Sequence, residues 1–145
     1  MTIGILLTGH GEFSIGLSHA LKMIAGEQAH LQVVPFNDGE SLDVYSERLE
    51  QAIQTLLTEY KQAIIFTDLL GGTPFNTSKM LTHQNNQVVV LTGTNLPMLI
   101  EGAMLAQVLD DVTALAEQLV SVGQQGIQIP TLPAASSNDE EEDGI

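Results

Sequence analysis

Along the chain, apolar positions switch repeatedly between two spacings. Short apolar runs mark strands at Ile3 to Leu7, Ala63 to Thr67 ("AIIFT") and Val88 to Thr92 ("VVVLT"), and His30 to Phe36 reads as a further strand, the second in chain order. Between them apolar residues recur every three or four positions, the signature of amphipathic helices. Leu17, Ala20, Leu21 and Ile24 share one face of a helix over Ser14 to Ile24, which Gly26 is suited to end as a C′ residue. Leu49, Ala52, Ile53, Leu56, Leu57 and Tyr60 do the same over Leu42 to Tyr60. Thr73-Pro74 reads as N-cap and first turn of a helix running to about Thr82. Two more helices follow, Leu96 to Leu109 and one begun by Asp110 and Asp111, the latter burying Val112, Leu115, Ala116, Leu119 and Val120. Gly126 to Ile129 is a candidate short fifth strand.

Strands alternating with helices predict an α/β fold with a parallel sheet covered on both faces. The near-continuous apolar runs of strands 1, 3 and 4 suit that double burial. A doubly wound order of 2-1-3-4 would put the switch point between strands 1 and 3.

Length and composition narrow this further. The chain has 145 residues, which fits one folded domain over residues 1–130. Residues 131–145 are Pro-, Ala- and Ser-rich and then acidic, and read as a disordered tail or linker remnant. The chain is 43% hydrophobic and has no cysteine, so disulfides and thiolate metal sites are excluded. No apolar run approaches a membrane span, and no basic stretch precedes the first one, so neither a membrane helix nor a signal peptide is expected. Net charge is −14, and without the five acids of "DEEEDGI" there remain 13 acids against four bases. Such a body is a poor partner for nucleic acid or anionic lipid and an attractive one for a basic protein face.

The candidate chemistry lies where strands end. In a doubly wound sheet, ligands bind beyond the carboxyl ends of the strands at the switch point. His10 lies just past strand 1, between Gly9 and Gly11; Asp68 lies just past strand 3. With the order above they face each other. A carboxylate on one ring nitrogen fixes the tautomer and frees the other nitrogen to attack an electrophile. The flanking glycines leave room for the incoming group. A helix start follows His10 directly, and "GGT" at Gly71, Gly72 and Thr73 opens another; free N–H groups at both favour a phosphoryl group, and the Thr73 hydroxyl is a further donor. Neither GxxxxGK[ST] nor GxGxxG is present, so the nucleotide cradles of those motifs are not expected. No Arg or Lys is near either motif in sequence except Lys79. His19, His30 and His83 have no metal-site spacing and read as structural or exposed, and neither a metal nor a cofactor is called for. On the residues alone, a small-anion binding module without transfer, or a hydrolase using His10 and Asp68 with Ser14, stays open beside a phosphohistidine carrier.

"TGHGEFSIG", "TDLLGGTPFN" at 67–76 and "TGTNLPMLIE" at 92–101, in that order, resemble the IIA domains of mannose-class sugar phosphotransferase systems, over roughly residues 1–130. The resemblance implies a flavodoxin-like fold. It implies a cytoplasmic carrier whose His10 takes phosphoryl through Nε2 from the histidine-containing phosphocarrier protein, with Asp68 holding Nδ1–H. The phosphoryl group then passes to a IIB subunit, so that the membrane subunits are served indirectly. Gly9, Gly11, Gly71, Gly72 and Thr73 would surround the phosphoryl group; the family often has Ser at the last position, and the hydroxyl is kept. Family members are commonly homodimers that exchange a C-terminal strand, for which Gly126 to Ile129 is the segment here.

Overall fold

A computed structural model of the chain describes residues 3–133. Four strands form one all-parallel sheet in the order β2-β1-β3-β4: β1 Ile3–His10, β2 Leu31–Phe36, β3 Gln62–Phe66 and β4 Val88–Leu91. Five helices connect or follow them: α1 Phe13–Ala25, α2 Leu42–Glu59, α3 Thr73–Thr82, α4 Leu96–Leu105 and α5 Val112–Gln125.

Strand side chains alternate between two apolar cores. Ile3, Ile5 and Leu7 of β1, with Ile64 and Phe66 of β3, pack with α1, α4 and α5. Leu6, Ala63 and Ile65 pack on the other face with Tyr45, Leu49, Ile53 and Leu56 of α2, and with Leu81 of α3. Both faces are therefore covered, as the unbroken apolar runs predict, and the fold is of the doubly wound, flavodoxin-like kind. Close approach of helix to sheet is bought with small residues: a Cβ on Gly4 would sit 2.6 Å from Leu56 of α2, and one on Gly102 of α4 2.8 Å from Phe66.

Three helix starts are fixed by side chains taking up N–H groups that a helix cannot satisfy itself. Ser41 accepts from Val44 N–H, Asn95 from Met98 N–H, and Asp111 from the N–H groups of Thr113 and Ala114. Gln62, at the start of β3, adds a bond from Val112 N–H at 2.6 Å.

Besides Val120 of α5, which is 43% exposed rather than buried, the structure departs from the sequence pattern at four places. First, β1 does not stop at Leu7 but runs through Thr8, Gly9 and His10, because β2 stays alongside it: Gly9 is opposite Pro35 and His10 opposite Phe36. Second, α3 is capped by Gly72, with no side-chain cap bond, so Thr73 is its first residue rather than its N-cap. Third, α4 ends at Leu105 instead of Leu109. Fourth, Gly126 to Ile129 forms no strand in the single chain, and Ile127 and Ile129 are exposed. Of the expected tail, residues 134–145 lie outside the described residues.

Candidate functional site

The carboxyl ends of β1 and β3 are neighbours, and they bring His10 and Asp68 together across 58 residues of sequence. Asp68 Oδ2 accepts twice from the same residue, from His10 Nδ1–H at 2.7 Å and from His10 backbone N–H at 2.8 Å. Its other oxygen accepts Leu69 N–H at 2.8 Å. Burial raises the Asp68 carboxyl pKa; hydrogen bonds from the His10 backbone and ring, the charge of that ring and the Leu69 N–H outweigh it, and the net shift is downward. The acid is thus held ionised. Because a carboxylate only accepts, Nδ1 carries the proton and Nε2 presents a lone pair.

The ring stands at an open rim. The His10 side chain is 47% exposed, against 13% for Asp68. Nε2 faces the start of α3: a Cβ on Gly72 would lie 3.5 Å from it and only 2.8 Å from Cε1. The first intrahelical bond there runs from Asn76 N–H to Gly72 C=O. Among the described residues, the N–H groups of Thr73 and Phe75 and the Thr73 hydroxyl have no partner, and they sit at the positive end of the helix. Gly71, with φ of 82°, turns the loop into α3, and Asn76 Nδ2 holds its C=O at 2.9 Å.

The two glycines beside His10 act differently. Gly11, at φ 57°, turns the chain from β1 into α1 with open space around it. Gly9 is buried, and a Cβ there would lie 2.6 Å from Phe13 and 3.2 Å from the Asp68 carboxyl, so its bareness is what lets that acid reach the ring. The third motif fastens the scaffold behind Asp68. Gly93 N–H donates to Asp68 C=O at 3.1 Å, and the buried Thr94 hydroxyl donates to Thr67 C=O at 2.7 Å.

Three further residues come to this rim that sequence reasoning did not place there. Phe36 makes a T-shaped contact with the His10 ring, centroids 5.9 Å apart. Behind it lies Tyr45, fully buried, its phenol pushed up to about 12 mainly by that burial. Arg48 reaches the end of β2, but its charge is taken by a two-pronged bond to Glu40 at 2.7 Å, and it also donates to Pro35 C=O. Lys79, the base nearest a motif in sequence, lies in the last turn of α3, away from its N-terminus. Around the imidazole the surface is apolar and acidic: Leu69 and Leu70 are 61% and 70% exposed, and Glu12, the N-cap of α1, is exposed without a capping bond. No group of three or more His, Asp or Glu among the described residues is arranged to hold a metal ion.

A doubly wound sheet with an acid-oriented histidine at its switch point, facing a helix N-terminus, defines the class: a flavodoxin-like α/β protein with its candidate site at the carboxyl ends of the strands. Comparison with known proteins gives the family. The family model for "PTS system fructose IIA component" matches residues 4–120. The chain is 32% identical over 127 residues to the fructose-specific EIIA component of Bacillus subtilis, covering 88% of this chain and 86% of that one. It is 30% identical over 131 residues to the mannose-specific EIIAB component of Escherichia coli K12, and there spans 39% of that protein's length. Among solved structures, the mannose/sorbose specific IIA subunit from Enterococcus faecalis superposes with a TM-score of 0.83 at 27% identity, covering 94% of this chain and 100% of that one. The chain belongs to the mannose-class IIA family of the sugar phosphotransferase system.

Proposed function

We propose that the domain carries a phosphoryl group on His10 Nε2, accepting it from the histidine-containing phosphocarrier protein and passing it to a IIB subunit. The observation that carries this reading is the split imidazole: Nδ1 locked on Asp68 at 2.7 Å, Nε2 open beside the start of α3. Attack by Nε2 makes the ring cationic, and the Asp68 carboxylate offsets that charge. The unpaired donors at Thr73 and Phe75, with the α3 dipole, receive the phosphoryl oxygens, and Gly11, Gly71 and Gly72 leave them room. Among the described residues, no basic side chain is free at the rim to bind phosphate tightly, which suits a group that must be handed on. Exposed Leu69 and Leu70 within acidic surroundings suit brief docking by a basic-faced partner.

In this reading the domain works in the cytoplasm and meets the membrane only through its partners; no helix among the described residues is long and apolar enough to cross a membrane. The same reading includes a homodimer built by strand exchange. The outer side of β2 is blunted by Pro35, which lacks an N–H and whose C=O is taken by Arg48. β4, the other edge, has no strand beyond it among the described residues, and Ile127 and Ile129, after α5, are exposed at alternate positions.

The test is direct. The protein is incubated with phosphoenolpyruvate, the first enzyme of the system and the phosphocarrier, then weighed. One acid-labile phosphate is expected on wild type and none on His10→Ala. An unmodified wild type, or equal labelling of the variant, would overturn the reading.

A further inference from the structure

We propose that Phe36 is a positioning residue for phosphoryl uptake, holding the His10 ring so that Nε2 keeps one heading; the inference rests on the phosphocarrier reading above. Asp68 fixes one ring atom, Nδ1, and a single hydrogen bond leaves the imidazole able to swing about it. Two contacts limit the swing. Bare Gly72 lies against Cε1 on one side. Phe36 packs as a T, with an interplanar angle of 62° and centroids 5.9 Å apart.

Phe36 is itself fixed from the core. Its ring leans on Tyr45, centroids 4.7 Å apart. The Tyr45 hydroxyl bonds the Thr8 hydroxyl, which donates to Val34 C=O at 2.6 Å. The backbone ties the same pair: Phe36 is opposite His10 in the ladder, and its C=O accepts Gly11 N–H at 2.8 Å. A continuous set of contacts therefore runs from two fully buried side chains to the reacting ring. Aromatic pairs have preferred geometry, and an aromatic ring within about 6 Å also attracts a cation, which the imidazole becomes on attack. Aligned lone pairs are where positioning acts on a rate.

Phosphoramidate separates this from partner docking. The Nε2 lone pair attacks phosphorus, the P–N bond breaks, and ammonia leaves with the reagent's own ammonium proton. The rate is followed by mass and the modified nitrogen by 31P and 15N NMR on wild type, F36L and F36Y. For F36L, which keeps apolar bulk but no ring, the rate constant for labelling at saturating phosphoramidate is expected to fall about fivefold with the half-saturating concentration unchanged. F36Y, which keeps the ring, is expected within about twofold of wild type. Side-chain couplings of His10 should report one rotamer in wild type and F36Y and averaging in F36L. Should F36L not fold by circular dichroism, F36M makes the same comparison. Equal rates and a single His10 rotamer in the ringless variant overturn the positioning role while leaving the carrier intact. Absence of Nε2-phosphohistidine on wild type overturns the carrier reading, and this inference with it.

Discussion

Two imidazoles at opposite ends of the sheet have opposite fates. His10 closes β1 at its carboxyl end, exposed, with Nδ1–H on a carboxylate and Nε2 open. His30 immediately precedes β2 at the amino end, 2% exposed, with Nε2–H donating to Ala103 C=O at 3.1 Å. Burial pushes the His30 pKa down, against the smaller opposing effect of that carbonyl. A neutral carbonyl accepts the proton of a buried ring and ties α4 to the sheet; it gives no charge to support a cation. An ionised acid beside an exposed ring does give it. What separates the two histidines here is the partner's charge and the access to the second nitrogen.

Removing the charge should break the contrast most strongly. Asp68→Asn keeps the shape, yet an amide no longer favours Nδ1–H or stabilises a cationic ring. Phosphoryl uptake from the phosphocarrier is expected to fall about 10²-fold, with the fold retained by circular dichroism. Equal rates would remove Asp68 from the chemistry.

The structural histidine should show the reverse pattern. His30→Phe keeps an apolar ring's volume but removes one of two side-chain donors to Ala103 C=O, the other being Gln107 Nε2–H at 3.1 Å. The expected cost is about 1 kcal/mol in chemical unfolding, the scale of one lost hydrogen bond to an acceptor that keeps another donor, with phosphoryl uptake by the folded variant unchanged. A slowed transfer at full folding would mean that the two ends of the sheet are coupled.

How much of this was legible in the sequence follows from where the signals reside. The elements were, because strand runs and helical stripes are local, and the order of four strands followed from the α/β alternation. The meeting of His10 with Asp68 was legible for the same reason: both lie at strand ends that the order makes adjacent. The extension of β1 through Thr8-Gly9-His10 was not, since those residues have the composition of a loop and are extended only because β2 runs beside them. Phe36, Tyr45 and Arg48 look like an ordinary strand end and helix, and only tertiary packing brings them to the imidazole. Thr94 resembles half of a helix cap, but its hydroxyl is turned back to Thr67. At Ile127 and Ile129 the alternation is real, but a strand also needs a neighbour, and the single chain offers none.

Acid separates the two sites by a smaller, graded effect. His30 has its pKa lowered on folding, so below the ordinary value of about 6.5 the unfolded chain binds a proton that the folded chain resists. Stability from keeping this ring neutral is full above that value and lost as pH falls through the window down to the folded pKa. Asp68 is also lowered, from an ordinary value near 3.8, so its contribution is full above that and lost only as pH drops towards its own folded pKa. Unfolding curves measured from pH 7 to pH 3 should therefore weaken in two stages. His30→Phe should flatten the first stage and leave the second, and Asp68→Asn should leave the first and weaken the second, to which Glu40, its carboxyl pKa also lowered by the Arg48 hydrogen bond, still contributes. If the first stage survives in His30→Phe, another group supplies it, and the buried imidazole is not the neutral, carbonyl-tied ring that distinguishes it from His10.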